Sequence, residues 1–237
     1  MRLVALNIRH GSGARVDSVV GWLAGHAADV LVLGEYRDNA AGATLRRQLD
    51  ARGWHLAWAS KGPSVNGVLI ASRAPLEAVE ITPNDATTGA LLLATLADGS
   101  RILGAYFPSN LAKRPFFARC HEAALAHAAD PFLLIGDLNT GCNVRDVQPG
   151  AAKFLCADDF DALESACGLT DLWRASHGDE AREWTWLSRI GNGYRLDHAF
   201  ANAAFLARQG PVEGHYVHDT REARLSDHSG LVVQASS

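Results

Sequence analysis

The 237-residue sequence has only four cysteines, Cys120, Cys142, Cys156 and Cys167, and none forms a CxxC pair. That spacing excludes a zinc-finger scaffold and argues against a disulfide framework, so buried free thiols are expected. No GxGxxG follows the first apolar run, and GxxxxGK followed by Ser or Thr occurs nowhere, which removes the dinucleotide-binding and P-loop readings. There is no repeat, no low-complexity stretch and no long Pro/Gly/Ser linker. No apolar run reaches the length of a membrane span, and MRLVALNIRH lacks the plan of a signal peptide. The net charge is −4, with no basic tail to announce nucleic acid, although a local basic surface is compatible with that average. A soluble cytoplasmic monomer without membrane contact is the expectation.

What is present is a 48% hydrophobic chain, enough to bury a sizeable core in a single domain spanning 1–237. RLVALNI (2–8) reads as a strand. Residues 16–27 and 40–51 have helical spacing, and DVLVLGEY (29–36) reads as a strand buried on both faces. Five strand-like runs then follow between 54 and 107 with no room for crossover helices, which favours antiparallel meanders over a doubly wound sheet. A helix over 113–129, the buried strand PFLLIG, a short helix over 160–168, the hairpin WTWLS–GNG–YRLDHAF and a closing strand LVVQ complete the pattern. The predicted fold class is α/β (α+β), a layered sandwich.

Polar residues punctuate the ends of the apolar runs: Asn7, Glu35, Tyr106, Asp137 with Asn139, Asp197, and Asp227-His228. Each alone reads as a turn or a solvated pair. Together, carboxylates, amides and a histidine at strand ends suggest oxygen-rich metal coordination and general acid–base work. Period two along an extended chain puts Asp137 and Asn139 on one side, with Leu138 turned into the core. Capping by Asn139 or Thr140 is the plainer alternative.

Asn7, GE (34–35), AYFP (105–108), GDLN (136–139), RLDH (195–198) and SDHS (226–229) occur in the order of the endonuclease/exonuclease/phosphatase superfamily, which the chain resembles from Asn7 to Ser229. That superfamily includes deoxyribonuclease I and exonuclease III-type apurinic endonucleases as well as sphingomyelinases and inositol polyphosphate 5-phosphatases. The resemblance implies a four-layered sandwich of two mainly antiparallel β-sheets flanked by helices. It implies a Mg²⁺- or Mn²⁺-dependent phosphodiesterase, a DNA nuclease or a DNA-repair endonuclease or exonuclease. The alternatives are a phosphoesterase of small-molecule or lipid-headgroup phosphates, or a non-catalytic binding module on the same fold.

The resemblance also assigns roles. Glu35, Asn7 and Asp227 would hold metal. Asp137 would activate water, positioned by Asn139. His228, supported by Asp197, would hold a phosphate oxygen, and Tyr106 would touch the phosphate. LNIRHG, GEYRDN and GDLNTGC are similar to the deoxyribonuclease I branch. AYFPSN with Lys113, Arg114 and Phe116-Phe117, together with WTW, YRLDHAF and LSDHS, is similar to the exonuclease III branch. Tyr106 stands where deoxyribonuclease I has a second catalytic histidine, and Arg9 where many apurinic endonucleases carry Asp or Asn. Arg9, Arg37, Asn110, Lys113 and Arg195 are the expected substrate contacts, with Arg114 and Arg145 as further phosphate candidates. Ordinary surface charge is the plain alternative for these cations other than Arg37 and Arg195. Trp186 and Tyr194 would wedge against a sugar or base, or simply pack the hairpin. Cys142 reads as a small filler, and residues 214–225 as an exposed loop in which His215, His218 and Asp219 make no zinc site.

Overall fold

A computed structural model describes residues 1–235. The strands are β1 (Arg2–Asn7), β2 (Val30–Tyr36), β3 (His55–Ala59), β4 (Gly67–Ser72), β5 (Leu76–Glu80), β6 (Ala90–Leu96), β7 (Arg101–Tyr106), β8 (Phe132–Asp137), β9 (Thr170–Asp171), β10 (Trp186–Leu187), β11 (Gly193–Tyr194), β12 (Asp197–Ala201), β13 (Val212–Val217) and β14 (Gly230–Ala235). The α-helices are α1 (Val16–Ala24), α2 (Ala40–Asp50), α3 (Arg114–Ala126), α4 (Ala157–Ser165), α5 (Leu172–His177), α6 (Ala203–Gln209) and α7 (Asp219–Glu222).

Two six-stranded sheets form, ordered β13-β14-β1-β2-β4-β3 and β5-β6-β7-β8-β12-β9, beside a small β10-β11 ribbon. Each sheet contains one parallel pair, β1 with β2 and β7 with β8, and is otherwise antiparallel. The parallel pairs are bridged by α1 and α3, because a parallel connection needs a crossover. The remaining strands meander, as the helix-free stretch 54–107 predicts.

The continuous apolar runs arise because both faces of each sheet are covered. On β1, Leu3 and Ala5 enter the core between the sheets, while Val4 and Leu6 face α1 and α2. On β8, Leu133 and Ile135 point inward, while Phe132 and Leu134 pack under α3 and α4. Helix α1 buries Val16, Val19, Val20 and Leu23, the i, i+3, i+4, i+7 stripe, each side chain contributing about 1.5–3 kcal/mol of transfer free energy. Asn39 caps α2 by accepting from Gly42 N–H at 3.1 Å. The result is the four-layered sandwich.

The topology fixes where polar residues gather. The C-terminal ends of β1, β2, β7 and β8 and the N-terminal ends of β12 and β14 carry the polar residues singled out above. Gly136 lets β7 and β8 run close there, since a Cβ would stand 2.0 Å from the Ala105 carbonyl oxygen.

Three local expectations change. Residues 214–225 are not a loop: β13 pairs with β14 along its whole length, and α7 follows. Its mixed polar and apolar residues reflect a half-exposed edge strand. YRLDHAF is not one strand but two, β11 and β12, separated by Arg195-Leu196. The short helices α5 and α6 were not expected.

Candidate active site

At the joined strand ends, Asn7, Asp137, Asp197 and His228 are all buried. Asp197 and Asp137 are register partners across β12 and β8. His228 Nδ1 lies 2.8 Å from Asp197 Oδ2, and its Nε2 lies 3.9 Å from Asp137 Oδ2. Asn7 Nδ2 donates to Asp137 Oδ2 at 2.9 Å and to Glu35 Oε1 at 3.2 Å, so one amide joins two carboxylates. Tyr106 donates to Glu35 Oε1 at 3.4 Å and accepts from Asn66 Nδ2 at 3.3 Å.

Local backbone sets these positions. Ser226 Oγ donates to the Asn7 carbonyl at 2.5 Å and accepts from His228 N–H at 3.0 Å, pinning β1 to the SDHS turn. Thr185 Oγ1 accepts from Leu196 and Asp197 N–H groups at 2.9 and 3.3 Å, and Tyr216 donates to the Asp197 carbonyl at 2.6 Å. Glu35 sits at a register shift in β2 with φ +56°, a left-handed conformation that aims its carboxylate into the mouth.

The electrostatics follow from burial and crowding. Burial raises the Asp137 pKa, and the neighbouring Asp197 carboxylate adds to that, against the lowering effect of His228 and two N–H donors. For His228 burial opposes the imidazolium, but Asp197 and Asp137 outweigh it and raise the pKa. Burial first, then the charges of Glu35 and Asp137, push the Tyr106 phenol upward, so it remains a donor.

Asp137 and Asn139 do come together, but not by extension. Strand β8 ends at Asp137, and Asn139 takes φ +49°. The turn folds the Asn139 N–H onto Asp137 Oδ1 at 2.8 Å, while its side-chain amide donates to the Phe107 carbonyl at 2.7 Å and approaches Asp137 Oδ2 at 3.4 Å. Leu138 is fully buried. Neither Asn139 nor Thr140 caps a helix.

Two expected substrate contacts face inward instead. Arg195 is buried and bonds Asp146 Oδ1 at 2.7 Å and Asp171 Oδ2 at 2.5 Å. It is a core ion pair and does not reach a substrate. Lys113 is also buried, and its Nζ donates to the Asn139 carbonyl. Burial lowers its pKa to about 8, and it holds the Asn139 turn from behind. Arg114 pairs with Asp159, and Arg145 with Glu164 and Asp179. Asn110 is exposed at the start of a 3-10 turn. Arg37 binds Asn66 Oδ1 through Nε at 2.6 Å.

Asp227 is exposed, 3.8 Å from Arg9 Nε and 3.4 Å from Trp186 Nε1. Trp186 and Tyr194 pack on each other with ring centroids 5.9 Å apart. Cys142 is buried. His218 bonds Ser229 Oγ and Asp219 accepts from Trp22 Nε1, so those two polar groups face different partners. Sequence reading missed His10, Asn66, Thr185, Tyr216 and Ser226. His10, Thr185 and Ser226 lie inside LNIRHG, WTW and SDHS and Tyr216 within 214–225, but none was given a role, and Asn66 opens the strand-like run at 66–72.

Donor atoms of Asp137, Asp197 and His228 lie within 4.8 Å of one another. The 2.8 Å bond between Asp197 and His228 makes this trio a hydrogen-bonded acid–base unit rather than an open ligand set. Glu35 is partly exposed, between the buried Asp137 and Asp197 and the exposed Asp227. Asn7 links Glu35 to Asp137, which with Asp197 and His228 forms the buried half of the site. Such oxygen donors suit a divalent cation of the magnesium type.

A model of the Endonuclease/Exonuclease/phosphatase family matches residues 4–228. A comparison with curated proteins finds no match. Among solved structures, a 3'-5' exonuclease, NExo, from Neisseria meningitidis superposes with a TM-score of 0.82 at 23% identity, covering 100% of both chains. A structure of 3' phosphatase NExo from Neisseria bound to product DNA hairpin gives 0.81 at 23%, again covering 100% of both chains. An AP endonuclease from Archaeoglobus fulgidus gives 0.83 at 20% over 100% of both chains. These likenesses establish the fold of the two packed, helix-flanked sheets. No helix among the described residues is long and apolar enough to cross a membrane.

Proposed function

The chain belongs to the endonuclease/exonuclease/phosphatase family, and from that premise we propose that it is a divalent-metal-dependent phosphodiester hydrolase acting on DNA. The observation that carries this reading is the single buried constellation in which Asn7 joins Glu35 to Asp137 while Asp197 holds His228. Phosphodiester hydrolysis needs an oriented nucleophile, a neutralised phosphate and a stabilised developing charge.

Glu35 would hold the cation, with the Asn7 amide beside it, and bound Mg²⁺ or Mn²⁺ would supply Lewis-acid neutralisation of the phosphate. Asp137, its pKa raised by burial, orients the attacking water and accepts its proton. Asn7 and Asn139 fix that carboxylate from two sides. His228 is the imidazolium that meets a phosphate oxygen, and Asp197 fixes its ring orientation and keeps it charged. Tyr106, a neutral donor, faces the same space. Removing Asp137 or His228 should cost on the order of 10²–10⁴ in rate.

DNA is favoured over small phosphoesters by the NExo complex with a DNA hairpin, to which this chain is similar throughout its length. Arg37 and Arg9, both at the mouth, are the cations available to a substrate phosphate. The test is a panel comprising an abasic-site duplex, an intact duplex, a 3'-phosphate-ended duplex, RNA and small phosphoesters, each with Mg²⁺ and with chelator. Metal-dependent DNA hydrolysis that falls steeply with salt supports the proposal. Hydrolysis confined to small phosphoesters replaces the substrate, and no metal-dependent hydrolysis of any of them refutes the enzyme.

A further inference from the structure

The turn after β1 carries a feature that the proposed chemistry does not use. Arg9, His10, Gly11, Ser12 and Gly13 are five consecutive residues with positive φ, at 50°, 54°, 72°, 65° and 54°. Three of them bear side chains, for which this conformation is strained. The strain is held in place by specific bonds. Gly11 N–H donates to the Glu35 carbonyl at 2.8 Å, and Arg15 donates to the carbonyls of Arg9 and Leu225. A Cβ at Gly11 would meet Arg37 Cβ at 3.1 Å, so the turn lies close against the strand that carries Glu35.

The product of that strain is the placement of His10. Its backbone N–H donates to Glu35 Oε2 at 2.7 Å, and its ring Nδ1 stands 2.9 Å from the same oxygen. Arg37 Nη2, which can only donate, lies 3.0 Å from that Nδ1. Nδ1 therefore offers a lone pair to Arg37, and the same atom faces a carboxylate oxygen. Two such atoms this close need positive charge between them, either a shared proton or a metal ion, and a proton on Nδ1 would oppose the Arg37 donor. A 2.9 Å separation is also the distance between adjacent donors on an octahedral ion with bonds of about 2.1 Å.

We propose that His10 Nδ1 is a nitrogen ligand of the ion seated at Glu35, biasing this site toward Mn²⁺ and other transition ions over Mg²⁺. The inference rests on Glu35 being the seat of the cation in the function proposed above. Imidazole binds first-row transition ions well, whereas Mg²⁺ prefers oxygen and water. Arg37, now 3.0 Å from Nδ1, would have to leave that lone pair if an ion were held there. The guanidinium stays tethered through Nε to Asn66 and is free to meet a phosphate oxygen.

The test uses the full chain with substoichiometric Mn²⁺. Free-ion EPR gives the affinity, and electron spin echo envelope modulation detects a directly bonded imidazole nitrogen. The wild type should show ¹⁴N modulation that His10→Gln abolishes. That variant should bind Mn²⁺ about tenfold more weakly, while its Mg²⁺ affinity, read by competition, changes less than about twofold. Mn²⁺ bound without ¹⁴N coupling, or coupling that survives His10→Gln and vanishes in His228→Gln, overturns the inference and leaves the Glu35 seat standing. Mn²⁺ binding that is absent, or indifferent to Glu35→Gln, overturns the seat and His10's role with it.

Discussion

Replacing Arg195 with leucine distinguishes a core residue from a substrate contact. The guanidinium is 2% exposed and reaches Asp146 Oδ1 at 2.7 Å, Asp171 Oδ2 at 2.5 Å, Asp171 Oδ1 at 3.2 Å and Tyr216 Oη at 3.4 Å. Once it is gone, Asp146 retains Arg174 Nη2 and the Cys142 N–H, both at 2.8 Å. Asp171 retains the Arg174 N–H at 3.1 Å, close to uncompensated. Breaking a buried pair while leaving its partner charged costs about 3–5 kcal/mol, a large part of the roughly 5–15 kcal/mol that holds a domain folded. At about 2–4 °C per kcal/mol for a chain of this size, the melting temperature should fall by about 6–20 °C. Urea unfolding and a thermal melt, each at neutral pH, measure it. Arg195→Lys should fall between the two, since it keeps the charge but loses the two-pronged geometry. A loss below about 1 kcal/mol, accompanied by weaker DNA binding at full stability, would refute this assignment and return Arg195 to the substrate surface.

Asp197→Asn should lower kcat by about 10²–10⁴ and move the alkaline limb of the pH–rate profile downward, because the lost carboxylate is what keeps His228 protonated at high pH. An unmoved limb would mean that another group titrates there. Lys113→Met removes the support behind the Asn139 turn while keeping volume. It should cost up to about 10² in kcat at saturating metal, with circular dichroism unchanged, as a misplacement near 1 Å can. His198 is buried against Phe160, and burial, reinforced by the Arg195 charge, lowers its pKa to about 4. The unfolded chain, with an ordinary pKa of about 6.5, binds this proton first. Stability should therefore fall as pH drops from about 6.5 to 4, measured as urea midpoints, and His198→Gln should flatten that slope.

The sheets were legible because strands covered on both faces must be apolar throughout, and a run such as LLIG cannot be hidden in a mixed pattern. GDLN and SDHS each read as a turn or a solvated pair when taken alone, and stood out by their place beside apolar runs and their order along the chain. Other features carried no such contrast. Strand β13 mixes polar and apolar residues on a half-exposed edge, so its part GHYV (214–217) resembled a loop. Arg195 read as a phosphate contact because its counter-charges lie 24 and 49 residues away in the chain and only folding brings them together. Asn139 looked extended because a left-handed turn at a non-glycine residue leaves no mark on residue spacing. His10 and Asn66 act through contacts to Glu35, Arg37 and Tyr106, residues 25–40 positions away in the chain, which only folding brings beside them.

Single-turnover cleavage of an abasic-site duplex, by wild type and Asp137→Asn, in Mg²⁺ and then in chelator, bears on the constellation as a whole. Cleavage by the wild type in Mg²⁺ should disappear in chelator and fall by about 10²–10⁴ in the variant, with the fold intact. Wild-type cleavage that persists in chelator, or a variant that cuts as fast as the wild type, would contradict a metal-dependent site built on Asp137.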